Sequence, residues 1–127
     1  MKTVYEITRA QLVERWENVE RVLKALSPHE RRKHWDMSEW GMKTDCGTVA
    51  CAAGHCGLDP WFRRRGFGLS FFSTSEYGDI GDVDGFFGCL GTEIIFYDQR
   101  RRTVSTVIKE VRAHIKWLKN ESNDYRA

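Results

Sequence analysis

Cys46, Cys51, His55 and Cys56 fall within eleven residues, and thiols and imidazole at that density are the ingredients of a metal site. Cys51 and His55 are four residues apart, so on a helix both point the same way, with Cys46 one turn earlier. Cys89 or His34 would complete four ligands. Familiar zinc sites pair two Cys-Cys knuckles with two to four residues between the cysteines, however, and this chain has no second pair. The same residues also suit thiol chemistry, with a helix N-terminus stabilising the Cys46 thiolate and His34 or His55 as base. The third reading is packing, since free cysteine is among the most buried residue types. Packing is the expectation here, with no cofactor, no metal and no catalytic residue. If a metal were held, Cys46, Cys51, His55 and Cys89 would be its ligands.

Charge offers a second chemistry. Between Arg100 and Lys119 the chain carries seven Lys or Arg and one acid, a net charge of +6. Lys109, Arg112, Lys116 and Lys119 step by three and four, the spacing of one helical face. With Arg101 and Arg102 they make a basic stripe, the candidate contact surface for carboxylates of a protein or phosphates of a nucleic acid. Between Glu76 and Glu93 there are five acids and no base, so the molecule should be electrically two-sided. Asp79, Asp82 and Asp84 do not make a calcium loop, because the EF-hand register puts Ile80 first and Gly91 twelfth. The four glycines from Gly81 to Gly91 lack a nucleotide-binding arrangement.

The elements that must position these groups are largely helical. Thr8 and Gln11 form a capping box, and Leu12, Trp16, Val19, Leu23 and Leu26 repeat at helical steps, predicting a helix over residues 8–26. Ser27-Pro28 ends it, and His29 to His34 form a basic loop or short helix leading to Trp35, Met37 and Trp40, which anchor a loop on the core. The run Thr48-Val-Ala-Cys-Ala-Ala-Gly-His-Cys56 is small and apolar all round, predicting a buried central helix with Ala50, Ala53, Gly54 and Gly57 on a face that lets a neighbour approach closely. Asp59-Pro60 starts a further short helix that ends at Gly66. Residues 67–73 read as a short strand, residues 73–81 as a polar loop, and Val83, Phe86, Phe87 and Leu90 as helical turns. Residues 93–97 fit either a strand or a helix. Val104, Val107, Ile108, Val111, Ile115 and Leu118 mark a final helix, with residues 121–127 as a frayed tail. The fold class expected is mainly α: one compact domain over residues 1–127 around the small-residue helix, with at most a short β hairpin. The competing picture is an α+β domain in which residues 67–73 pair with residues 93–97.

Composition bounds the rest. At 127 residues, 41% hydrophobic and 30% charged, the chain is neither a membrane protein nor a disordered tail. Its amphipathic start is no signal peptide, so the expected location is the cytoplasm, where four cysteines stay reduced. The net charge of +2 favours no partner by itself.

The stretch Trp40-Gly41, then Cys46-Gly47-Thr48-Val49-Ala50-Cys51-Ala52-Ala53-Gly54-His55, resembles small uncharacterised proteins of bacteriophages, prophages and bacteria that carry a Trp followed by a Cys-Gly-Thr-x-x-Cys-x-x-Gly helix. Asp59-Pro60-Trp61-Phe62, Arg65-Gly66 and Phe86-Phe87-Gly88 are similar to the continuation in those proteins. The resemblance implies a mainly helical fold and a mobile-element setting, and it transfers no activity. The function expected on this basis is a non-enzymatic accessory protein that binds a host protein or complex, such as a bacterial defence machine. The alternatives are a nucleic-acid binder using the basic C-terminal helix and a small Cys/His zinc domain.

Overall fold

Thr8 and Gln11 exchange both hydrogen bonds of a capping box at the start of α1 (Arg9–Ala25), which buries Leu12, Trp16, Val19, Val22 and Leu23. The structure, a computed structural model, describes residues 7–44, 47–71, 75–98 and 100–125. Ser27 ends the first helix region and caps the next: with Glu30 it forms a second capping box on α2 (Pro28–Lys33), where Pro28 occupies the first turn. The chain then crosses to a hairpin of β1 (Met42–Thr44) and β2 (Gly47–Val49), with Met42 opposite Val49 and Thr44 opposite Gly47. α3 (Ala52–Leu58) and α4 (Pro60–Arg63) follow, the latter capped by Asp59. A second hairpin joins β3 (Leu69–Phe71) to β4 (Gly78–Ile80). Two short helices, α5 (Val83–Phe87) and α6 (Cys89–Gly91), run into a π-helical turn, Thr92–Phe96. α7 (Val104–Lys119) closes the fold by packing along α1.

One apolar cluster collects side chains from α1, α3, α4, α5, the π-turn and α7. Its hub is Trp16, fully buried, with ring centroids of Phe87, Phe96 and His114 at 5.1, 5.1 and 5.0 Å. The indole Nε1–H donates to the carbonyl of Phe87 at 3.0 Å, so the one polar atom of this side chain is satisfied. Phe62, Phe67, Phe86 and Phe87 pack against one another at 4.9 to 6.0 Å, and Phe87 joins this ring cluster, which carries α4 and α5, to Trp16.

The mainly helical domain is as expected, with three local differences. The helix predicted over residues 48–56 is a strand followed by a later helix. Gly47, at φ of +113°, begins a strand, and antiparallel pairing with Lys43 and Met42 takes Thr48 and Val49 out of the helix. Ala50 continues the departure by donating to His34 O at 3.0 Å and accepting from Asp36 N at 3.0 Å. Only at Cys51 does the chain turn into α3, with the Cys51 sulfur capping Gly54 N at 3.4 Å. Two small sheets therefore form where at most one hairpin was expected, and β3 pairs with β4 out of the supposed polar loop, not with residues 93–97. Those residues form the π-turn, because Ile95 and Phe96 are drawn into the core beside Trp16. Finally, residues 121–125 of the expected frayed tail lie against the start of α1. The Arg9 guanidinium holds the carbonyls of Leu118 and Asn123 at 2.6 Å each and lies over the Tyr125 ring.

Candidate functional site

The motif Trp40…Gly47-Thr48…Cys51…Gly54-His55 is a piece of packing. A Cβ on Gly54 would lie 1.6 Å from the backbone oxygen of Trp40, so that chain crosses α3 at the distance only glycine allows. Cys51 N donates to Glu39 O at 2.7 Å, tying the same crossing from the other side. Burial drives the Cys51 thiol up to about 11 and pushes Cys56 well above its usual range, so both stay protonated and unreactive. His55 lies buried, with Nε2 donating to the His34 carbonyl at 2.7 Å and its ring stacked on Trp35. Desolvation lowers its pKa, which keeps it neutral. Cys89 is exposed at the start of α6. Among the described residues no three of His, Cys, Asp or Glu gather as metal ligands. Cys46, named both as a ligand and as a nucleophile, lies outside the described residues, and the helix N-terminus supposed to activate it belongs to Cys51.

The acids of residues 76–93 also serve the fold. Asp82 caps α5 through Gly85 N at 3.0 Å, and Asp84 accepts from the buried Thr92 hydroxyl at 2.5 Å.

The basic stripe divides into paired and exposed cations. Arg102 is turned inward: its side chain is only 6% exposed, paired with Glu110 and donating to the carbonyls of Ile95 and Asp98 at 2.5 and 2.7 Å. It clamps the π-turn to α7 and cannot reach a partner as a free cation. Arg112 pairs with Glu20 of α1, and Lys119 lies 3.6 Å from Glu17 of the same helix. Both remain half exposed, but their charge is offset locally. Lys109, Lys116 and Arg101 are exposed.

The folded chain builds a different basic feature. Arg31 and Arg32 on α2 and Arg101 and Arg102 before α7, about seventy residues apart in sequence, line opposite parts of one groove of about 710 Å³. The fold brings them together through Trp35, whose Nε1–H donates to Arg102 O at 2.8 Å. Arg31 donates Nε–H to Leu26 O at 3.1 Å, which fixes α2 against the end of α1. Arg32 and Arg101 are exposed and have no hydrogen-bond or ion-pair partner among the described residues. Val104 and Ser105, in the first turn of α7, complete the lining, so the positive end of a sixteen-residue helix adds to the arginines. Asp36 is the one acid of the lining, and its carboxylate is turned to the amide and hydroxyl of Ser38 at 2.9 and 2.6 Å. A volume of this size lies within the range of ordinary ligand pockets.

Sequence reasoning noticed each basic segment but not their meeting. Arg31 and Arg32 read as part of a basic loop or short helix, and Trp35 as an anchor of a loop on the core. Elsewhere, Leu90, Ile94, Ala113, His114 and Trp117 line an apolar depression of about 410 Å³ beside Glu110. Among the described residues no helix is long and apolar enough to cross a membrane. No family model, curated protein or solved structure matches this chain.

Proposed function

We propose that this chain is a non-enzymatic binding protein that captures an anionic stretch of a host macromolecule in the groove between α2 and the start of α7. The observation that supports it is the convergence of Arg31, Arg32 and Arg101 with the N-terminal turn of α7 on one concavity. Cations that pair with neighbouring acids are usually a solvated surface, and Arg112 and Lys119 do so. Arg32 and Arg101 have no such partner among the described residues, which keeps their charge available. The mobile-element setting implied by the motif fits a small stoichiometric binder of this kind.

Retention on a polyanionic resin at low salt tests the reading. Wild type should bind and elute with rising salt, and Arg32→Glu with Arg101→Glu should elute far earlier. Lys109→Glu with Lys116→Glu, an equal charge change on the exposed face of α7, should shift elution less. A larger shift from the α7 pair would place binding on the stripe and remove the groove.

A further inference from the structure

The groove holds an aromatic surface as well as cations. Trp35 lines it, half-buried, with its orientation fixed at two points. The Nε1–H is tied to the Arg102 carbonyl, and the ring lies 5.8 Å from the His55 ring at 14° between planes. One face of the indole is thus backed by an imidazole, and the ring cannot swing away. Arg102 itself is held by Glu110 and two backbone carbonyls, so the wall that positions Trp35 is built from the core outward. Its Nε is the one buried side-chain nitrogen without a hydrogen-bond partner among the described residues.

We infer that the groove is a binding site for single-stranded nucleic acid, with Arg32 and Arg101 neutralising phosphates and the indole of Trp35 stacking an unpaired base. The inference rests on the anion-binding reading of the same groove and commits it to one occupant. Charge alone would serve a run of carboxylates equally well. A rigid aromatic plate flanked by arginines adds what an acidic peptide does not need and a base does: a flat apolar face beside the phosphate counter-charges. A duplex offers phosphates but no unstacked base, so it gains nothing from Trp35. Binding of this kind is tolerant of sequence, because every base has a π-face and the contacts otherwise fall on the backbone.

Fluorescence anisotropy with labelled oligothymidylate of about ten nucleotides, within the usual range of single-strand site sizes, supplies the test. The full chain should bind it at low salt, and bind duplex DNA of matched length and polyglutamate of matched charge more weakly. The dependence of log affinity on log salt should have a slope of about −1.4, as for two phosphates neutralised on a single strand. Trp35→Leu should weaken the oligothymidylate complex about fivefold or more, a larger loss than in retention on the polyanionic resin. Trp35→Phe, which lacks the Nε1–H as Leu does but keeps an aromatic face, should restore much of the loss. Circular dichroism of each variant separates loss of stacking from loss of fold, and Arg32→Glu with Arg101→Glu, both at exposed positions, tests the phosphate contacts separately. Polyglutamate bound as tightly as the oligonucleotide, or affinity indifferent to Trp35→Leu in a folded variant, would overturn the nucleic-acid assignment and leave the anion groove standing. Resin retention indifferent to the arginine pair would bring down the groove itself.

Discussion

Glycine 54 shows how a single residue type can be read from sequence while its reason stays hidden. Its place in a run of small residues signals close approach by a neighbour, and the structure supplies one: the backbone oxygen of Trp40, where a Cβ would sit at 1.6 Å. Neither helix nor loop can yield without dragging the Cys51–Glu39 hydrogen bond at 2.7 Å. Gly54→Ala should therefore destabilise the fold by about 3 kcal/mol, although the same change in an unobstructed helix gains about 1 kcal/mol. Urea unfolding checks this, and an unchanged or higher midpoint would contradict the crossing. The spacing of Trp40 and Gly54 is visible in the chain, but the contact between them depends on a hairpin that intervenes. The cysteines follow the same logic. Their density set a metal site and a nucleophile beside packing, the reading expected; burial raises Cys51 and Cys56, and the sulfur of Cys51 serves as a helix cap.

Elements with a strong helical period were legible, and those decided by distant partners were not. α1 and α7 bury the side chains their three- and four-residue spacing singles out. The small-residue run after Gly47 has no period to follow, so its first half joins a hairpin and only its second half becomes α3. Residues 93–97 are β-branched and aromatic, but tertiary packing against Trp16 overrides that propensity and leaves a π-turn. α7 also carries a titrating group inside the core. His114 sits between Trp16 and Trp117 and against Gly91, and burial lowers its pKa from 6.5 to about 4. Between those two values the unfolded chain takes up a proton that the folded chain refuses, so stability falls as pH drops below about 6.5 and the loss is complete below about 4. Between pH 6.5 and 5 the expected loss is on the order of 1–2 kcal/mol. Denaturant melts of His114→Phe, which keeps a ring between the two tryptophans, should lose less over that window than wild type. Equal slopes for the two proteins would mean that His114 is not held neutral by the core.

At the scale of the whole molecule, charge is sorted by the fold more than by the chain. The basic stripe from Lys109 to Lys119 was the visible pattern, but α1 answers two of its cations with Glu17 and Glu20. Arg102 is spent inside the structure. The groove could not be read from sequence because its two basic walls lie about seventy residues apart and carry no shared motif. What joins them is one indole hydrogen bond and the capping of α2 against α1. The claim that these walls form a single anion site is tested most directly by amide chemical shifts during titration with tripolyphosphate, a small flexible polyanion. Amides of Arg31–Ser38 and of Arg101–Ser105 should move together, with one apparent affinity, while those of Lys109–Lys119 stay nearly still. Shifts confined to Lys109–Lys119, or two segments titrating with different affinities, would show that the groove is not the site.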